Sequence, residues 1–384
     1  MGEGRHQPLR GPGTRVAVIV ACVPGLEEIV AGELDGLGIA SRSAGPGALS
    51  ARVTVRQLYL VNVATASATR VLVDAGMFAA RSFSELEARA ASLDLGPWLE
   101  TGRRVRFRIT AHRSRLHHTG AIEERLRRVL DLGPASAADD PDAALVVVRV
   151  ARDRVAVRVD SSGAPLHHRG WRGLAAKAPL RETLAAATLT ASGWRPGLAL
   201  VDPLCGSGTI AIEAARRAAG IAPGADRSFA FQHWPSFAPG TWASVQAQVR
   251  QPPEPLPDAA PIVGRDRDAG AVAAARENAE WAGVGDAVRI EHGSVSDASA
   301  PRGAGPGWIV TNPPWGGRLA GGGDLRNLYA RLGQVSSGAF EGWGLAVLTA
   351  DLGLARSLGR KGEVRLRARA GPRPVSLVVT DRSA

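Results

Sequence analysis

Residues 200–215 read LVDPLCGSGTIAIEAA, and this stretch decides the fold. It joins an apolar strand that ends in Asp202 to a turn containing Gly206 and Gly208, and the turn leads into a helix. Glycine lets a backbone approach a ligand closely, and the first turn of a helix has amide N–H groups that no helical carbonyl accepts. The stretch therefore predicts a ligand-binding loop at the carboxyl end of a strand in a parallel α/β sheet.

Three kinds of ligand can be weighed for this loop. A Walker A phosphate loop needs Gly-Lys-Ser/Thr, whereas Gly208 is followed by Thr209 and Ile210. A dinucleotide fingerprint needs a third small residue, a place that Ala211 fills, and a ribose-binding acid further along. A cofactor that joins a nucleoside to methionine has no phosphate, and Asp202 at the strand end suits its amino acid part. A purely structural turn is the remaining alternative.

Outward from this loop, strand and helix patterns alternate from about residue 166 to the end of the chain, which is typical of a parallel sheet. Two further β-like runs, 363–370 and 374–382, predict an antiparallel hairpin at the sheet edge. The parallel strands are predicted at Leu198–Asp202, Pro261–Asp266, Ala287–Glu291, Trp308–Asn312 and Gly344–Thr349.

A second acid follows the next predicted strand, in GRDRD at 264–268. A carboxylate beside a glycine loop is well placed to accept two ribose hydroxyls. Asp268 has an alternative role as a helix N-cap. Asp266 lies before the cap, so it is the better ligand candidate.

The fourth predicted strand runs into TNPPWGGRL at 311–319. Pro313 and Pro314 have no N–H and fix their φ angles, so they hold a rigid turn with free carbonyls. The Asn312 side-chain oxygen and the Pro313 carbonyl would accept the two N–H groups of a planar base amine and stabilise the charge that develops as it attacks a sulfonium methyl. Trp315 would stack on the extruded base. The alternative is an ordinary strand-end turn.

The composition of the 384 residues limits the partners. A net charge of +11 favours a polyanion, most often nucleic acid, although a biased arginine-rich composition gives the same surplus. Two cysteines are too few for a disulfide framework or a zinc cluster, and no metal site is expected. No apolar run approaches the roughly 20 residues of a membrane span, so we expect a cytoplasmic protein.

Motifs spread along the chain carry a resemblance to a known family. DPLCGSGT, GRDRD and NPPWG in this order resemble a class I S-adenosylmethionine-dependent amino-methyltransferase. The chain is more specifically similar to the THUMP-containing RNA guanine-N2 methyltransferases, over about residues 16–382. This second likeness rests on CVPGLEEIVAGEL (22–34), LHHRGWR (166–172), KAPLRETLAA (177–186) and FAFQHWPSF (229–237).

The resemblance implies a fold and a domain order. It implies a Rossmann-like methyltransferase domain with a seven-stranded, mostly parallel sheet at 163–384, preceded by two α+β domains. The first of these is a ferredoxin-like domain at 15–76, after a loose tail at 1–14, and the second is an RNA-binding THUMP domain at 77–162. The implied reaction is methyl transfer from S-adenosylmethionine to the exocyclic N2 amine of a guanosine. Ribosomal RNA is favoured and transfer RNA stays open, and the oligomeric state is unknown.

The resemblance also assigns residues. Trp315 departs from it, because the family more often has tyrosine there, and Asp297 is an alternative to Ser294 for the adenine amine. The cofactor would be held by Asp202, Pro203, Cys205, Gly206, Gly208, Thr209, Asp266, Ser294 and Asn312. The catalytic set is Asn312, Pro313, Pro314 and Trp315. RNA would be held by Arg104, Arg106, Arg113, Arg115 and His117.

Three rival functions compete with this one. A cytosine-C5 methyltransferase needs a cysteine near the fourth strand, whereas Cys205 lies in the cofactor loop and no cysteine follows it. An adenine-N6 methyltransferase would use the same tetrapeptide, but the N-terminal half favours structured RNA. A catalytically dead RNA-binding assembly factor is disfavoured because Asp202, Asp266 and Asn312 are all present.

Overall fold

Two β-sheets organise the molecule, one in each half of the chain. A computed structural model describes residues 14–137, 140, 142–172, 180–250, 260–315 and 325–382. The first sheet lies within residues 15–160 and the second within residues 200–380. Predictions for 1–13, 177–179 and 316–319 lie outside the described residues.

The first sheet has eight strands in the order β2-β3-β1-β4-β8-β7-β5-β6. Its ladders are antiparallel except those of β5 with β6 and β7, which are parallel. The strands are β1 Arg15–Cys22, β2 Ser41–Ser43, β3 Ala48–Thr54, β4 Ala68–Ala79, β5 Arg104–His112, β6 Gly133–Pro134, β7 Ala144–Ala151 and β8 Arg154–Asp160.

Four helices accompany this sheet in the described part of the chain, and polar side chains cap the starts of the second, third and fourth. Thr54 and Gln57 form a capping box at the start of α2, and Ser82 accepts a hydrogen bond from Glu85 N at the start of α3, as its sequence predicts. The sequence GAIEERLRRVLDLG (120–133) predicts an amphipathic helix that ends at Gly133, but the helix ends earlier, at Val129. The helices are α1 Glu27–Gly36, α2 Val55–Ala64, α3 Phe83–Ala90 and α4 Thr119–Val129.

Alternate residues of the first sheet project into the core. Val71 and Val73 of β4 are fully buried in the same apolar cluster as Val155, Val157 and Val159 of β8. The strand β4 pairs with β1 on one side and with β8 on the other. The division expected at residue 76 therefore falls inside β4, and the sheet runs through it without a break.

The second sheet has the order β11-β10-β9-β12-β13-β15-β14. Its first five strands are parallel, and β15 pairs antiparallel with both β13 and β14. The prediction of a seven-stranded, mostly parallel sheet with an antiparallel hairpin at its edge is confirmed. The strands are β9 Leu200–Asp202, β10 Ile262–Asp266, β11 Arg289–His292, β12 Trp308–Thr311, β13 Gly344–Thr349, β14 Glu363–Ala370 and β15 Arg373–Thr380.

Helices flank this sheet and complete its apolar core. Every residue of β9, β12 and β13 is buried, as expected for strands covered on both faces. The helices are α5 Glu182–Ser192, α6 Thr209–Ala218, α7 Pro239–Val249, α8 Ala269–Trp281, α9 Leu325–Gly338 and α10 Leu352–Arg356.

The two halves are packed together closely. Tyr59 of α2 stacks on Phe231 with ring centroids 4.2 Å apart, and α2 also packs against α7. Buried Arg169 joins Glu213 of α6 to the carbonyl of Ala66. The segment between β9 and β10 therefore contributes, through Phe231, an aromatic contact to the N-terminal half.

Candidate active site

The glycine loop lies between β9 and α6 and is held by the neighbouring strand. Gly206 and Gly208 have φ angles of 54° and 86°, which favour glycine. The Gly206 N–H donates to Asp266 Oδ2 at 2.9 Å, and Asp268 N–H donates to Asp266 Oδ1 at 3.0 Å. Asp266 therefore fixes the loop, and each of its oxygens still has a lone pair for a ligand hydroxyl.

Asp268 acts as the N-cap of α8, the alternative role considered for it. Its Oδ1 accepts hydrogen bonds from Gly270 N at 2.8 Å and Ala271 N at 3.0 Å. These contacts leave Asp266 as the ligand candidate of the pair.

Asp202 lies at the end of β9 and is 2% exposed. Its Oδ1 accepts from Thr311 Oγ1 at 2.6 Å and from Leu204 N at 3.2 Å. Burial raises the pKa of Asp202 to about 7, the Thr311 bond opposes the rise, and nearby Asp266 adds to it. The carboxyl thus connects the end of β9 to the residue that precedes Asn312.

Asn312 follows the last residue of β12. Its side-chain oxygen Oδ1 is buried and has no hydrogen-bond partner among the described residues. A buried acceptor without a donor is costly and calls for an explanation. Pro313 beside it is buried as well, and neither proline has an N–H that would compete for a ligand.

Trp315 is anchored to the neighbouring strand. Its Nε1–H donates to the carbonyl of Leu348 in β13 at 3.0 Å, and the half-buried ring packs against the core. The indole N–H therefore serves to orient the ring at the edge of the site. This contact was not foreseen from the sequence.

The other predicted cofactor residues have structural contacts. Cys205 is buried, which raises the pKa of its thiol well above the usual value and disfavours a nucleophilic role. Ser294 caps a short 3₁₀ turn through a bond from Ser296 N, and Asp297 Oδ2 accepts from Ser294 N at 3.1 Å. Pro203 is buried in the same loop.

Two residues near the site, Thr311 and Arg172, were not predicted from the sequence as site residues. Thr311 gave no signal beyond its place before Asn312. Arg172, the last residue of LHHRGWR, donates to Thr209 Oγ1 at 2.5 Å and pairs with Glu182 at 3.0 Å. Its contact joins the segment after β8 to the first residue of α6.

The predicted RNA-contact residues are separated into two groups. Arg113 and Arg115 are exposed in the loop after β5, and His117 Nδ1 lies 2.9 Å from the Arg115 carbonyl. Arg104 is instead paired with Asp140 at 3.2 Å and Asp142 at 3.4 Å. Arg106 is half-buried on β5.

Neither a metal cluster nor a membrane span is found in the described part of the chain. Across the described ranges, no three or more His, Cys, Asp or Glu side chains group in a way that could hold a metal ion. Within those ranges, too, every helix is too short or too polar to cross a membrane.

Comparisons with known proteins give two family matches and a series of related structures. A family model for the RMKL-like methyltransferase domain matches residues 169–377, and one for the RlmL ferredoxin-like domain matches residues 17–72. The solved structure of SMU.472, a candidate methyltransferase complexed with SAH, superposes with a TM-score of 0.84 at 27% identity, covering 96% of this chain and 99% of that one.

Curated relatives are longer than this chain. The chain is 34% identical over 351 residues to the ribosomal RNA large subunit methyltransferase K/L of Syntrophotalea carbinolica, with 87% of this chain and 49% of the relative covered. A protein of the same name from Chromohalobacter salexigens is 32% identical over 99% of this chain and 53% of its own length. The chain thus spans about half the length of these relatives.

Proposed function

The chain belongs to the family of RMKL-like methyltransferases, and from this premise we propose that it methylates the exocyclic N2 amine of a guanosine in large-subunit ribosomal RNA. S-adenosylmethionine is the proposed methyl donor. The names of the curated relatives support the RNA, and the complex of SMU.472 with SAH supports the cofactor.

The buried oxygen of Asn312 is the observation that carries this proposal. Asn312 Oδ1 is a buried hydrogen-bond acceptor with no donor among the described residues. Such an atom suits a ligand that donates N–H groups. The exocyclic amine of guanine carries two, and the Pro313 carbonyl is the second acceptor that we assign to it.

The residues of the loop fit the proposed cofactor. A Cβ at Gly206 would meet no atom within 4 Å, so there is space against the loop for a ligand. Asp266 would accept ribose hydroxyls, and the start of α6 offers N–H groups to the methionine end. S-adenosylmethionine bound there supplies an electrophilic methyl group.

The chemistry required of the protein is to prepare a weak nucleophile. The lone pair of the guanine amine is delocalised into the ring, and two accepted hydrogen bonds favour a tetrahedral nitrogen whose lone pair is available. Asn312 and Pro313 also stabilise the positive charge that develops on this nitrogen. Trp315, oriented by its bond to β13, provides a flat surface for the base.

The test is methyl transfer in vitro, with purified protein, labelled S-adenosylmethionine and separated ribosomal and transfer RNA. Mass analysis of the nucleosides should find N2-methylguanosine in large-subunit RNA. If the product is N6-methyladenosine, the protein is an adenine-N6 methyltransferase instead. If N2-methylguanosine forms only in transfer RNA, the substrate is transfer RNA and not ribosomal RNA.

The substitution Asn312→Ala tests the assigned role. We expect turnover to fall at least about 100-fold, as when a positioned acceptor of transition-state charge is removed, while S-adenosylmethionine binding measured by calorimetry is retained. Asn327→Ala is the matched control, since Asn327 is exposed on α9. Wild-type turnover in Asn312→Ala would remove the residue from catalysis.

A further inference from the structure

The first sheet has a second face, and of the residues predicted to hold RNA only those on β5, such as Arg106, lie on it. Rows of residues cross β4, β8, β7 and β5 on this side, and one row contains Asp74, Arg158, Val147 and Arg108 in register. The next rows toward the hairpin turn contain Met77, Ala156, Arg149 and Thr110, and then Ala79, Arg154, Ala151 and His112. We call this side of the four strands the open face.

The open face lies opposite the apolar core. Leu72, Leu145 and Ala156 are buried at its base but belong to neither of the two core clusters. Met77 remains 56% exposed. The side chains of β4 and β8 that do join the core, such as Val73 and Val157, point the other way.

Charge on the open face is strongly positive. Its acids are Asp74 and Asp160, and Asp160 is buried against Arg70. Arg108 and Arg149 are exposed and form no hydrogen bond or ion pair with any described residue. Arg104, at the start of β5, is on this side too, but it is paired with Asp140 and Asp142. The other arginines of the open face are Arg70, Arg106, Arg108, Arg149, Arg154 and Arg158.

The helix side of the same region differs in its charge pairing. Arg125 and Arg128 of α4 both bind Glu87 of α3, at 2.7 and 2.6 Å, and Arg127 binds Glu123. Their charges are already largely compensated. Of these two surfaces, the open face therefore has more uncompensated positive charge than α4.

Aromatic rings are turned away from the open face. Phe78 pairs in register with Val155 and Phe107 with Val146, so both project to the core side and pack there. Bases that stack on a sheet need rings on its exposed surface. Among the described residues of the four strands, the open face thus has no Phe, Tyr or Trp ring and is rich in arginine, a composition that suits phosphates.

The chain leads from the open face directly to the cofactor loop. The strand β8 ends at Asp160, and the segment that follows carries Arg172, whose guanidinium contacts Thr209 at the start of α6. Arg227 binds the carbonyls of Ser162 and Ala164 within this segment, at 2.9 and 2.6 Å. Burial lowers the pKa of His168, and the charges of Arg227 and Arg181 lower it further.

We propose that the open face binds the phosphate backbone of the RNA substrate and directs it toward the methyl-transfer site. This inference rests on the proposed function for the identity of the nucleic acid. The contacts are with phosphates, so affinity there depends on salt and not on base sequence.

The double variant Arg108→Gln/Arg149→Gln tests the proposal. Binding of a fluorescein-labelled RNA hairpin is measured by anisotropy between about 50 and 200 mM KCl. We expect affinity to fall at least about tenfold, and the slope of log affinity against log salt to decrease by roughly 1.4 to 1.8, since each phosphate contact contributes about 0.7–0.9.

The matched control is Arg125→Gln/Arg128→Gln, which removes the same charge from the helix side and should retain most of the affinity and slope. Equal losses in both variants, or unchanged RNA affinity in the first, would overturn the proposal; the latter would leave the open face to a protein partner. The binding assay needs no turnover, so a failure to detect N2-methylguanosine would count against the proposed function alone.

Discussion

At the scale of single residues, Asp202 stands out because a carboxylate is buried at the end of a buried strand. Its folded pKa of about 7 lies above the usual value of 3.8. The folded state therefore binds more protons than the unfolded state between about pH 4 and 7, and stability falls as pH rises through this window.

The substitution Asp202→Asn should remove this dependence. An asparagine oxygen still accepts the Thr311 hydroxyl but never ionises. We expect the variant to become more stable relative to wild type as pH rises from about 4 to about 7, with a constant difference above that range. Urea unfolding of both proteins across this range measures it, and a difference that does not change with pH would contradict the raised pKa.

A substitution at Trp315 can separate the contribution of the flat ring from that of its hydrogen bond to β13. Trp315→Phe keeps a flat side chain but removes the donor to the Leu348 carbonyl. One such bond contributes about 0.5–1.5 kcal/mol, so we expect single-turnover methyl transfer at saturating RNA to slow by roughly 2- to 12-fold, with unchanged cofactor affinity.

Trp281→Phe, at the exposed end of α8, is the control for the loss of an indole. A full rate in Trp315→Phe would show that the bond to β13 has no part in positioning the base.

At the scale of elements, the second sheet was predictable because its strands and helices alternate with strong patterns. The range Gly344–Thr349 was predicted as it is found, and the other four parallel strands differ by one or two residues at their ends. Helix ends were harder to predict. The run to Gly133 continues past Val129 as a turn, in which Asp131 has a φ of 49°.

The site was predictable where a motif fixes the backbone. Asp202, Asp266 and Asn312 do lie at the carboxyl ends of the strands β9, β10 and β12, which are neighbours in the sheet. The hydrogen-bond partners of the site residues were not predictable from the sequence. The bond from Thr311 to Asp202, for example, joins residues 109 positions apart in the chain. In the first sheet, the pairing of Arg104 with Asp140 and Asp142 likewise joins residues far apart in the chain, and so could not be predicted.

At the scale of the whole molecule, the N-terminal half contacts the second sheet at a position that only glycine fits. Gly25, after β1, has a φ of 98°, and a Cβ there would lie 1.8 Å from the Arg367 carbonyl oxygen of β14. Gly25→Ala must therefore separate the loop from the methyltransferase sheet, and we expect a clearly lower midpoint of thermal unfolding.

Gly38→Ala is the control for the backbone alone. Gly38 has a φ of 69°, and a Cβ on this residue would have no atom within 4 Å, so the cost should be about 1–2 kcal/mol. If Gly25→Ala melts no lower than Gly38→Ala in calorimetry, the contact between the halves does not contribute to stability.

The shared strand β4 has a consequence for synthesis on the ribosome. Its partner β8 is encoded about 75 to 88 positions later, as the register of Ala79 with Arg154 and of Leu72 with Asp160 shows. Until residue 160 has left the exit tunnel, a nascent chain exposes the free edge of a twelve-residue strand, the kind of edge that recruits other chains. While this segment is translated, we therefore expect the growing polypeptide to be open to association with other chains.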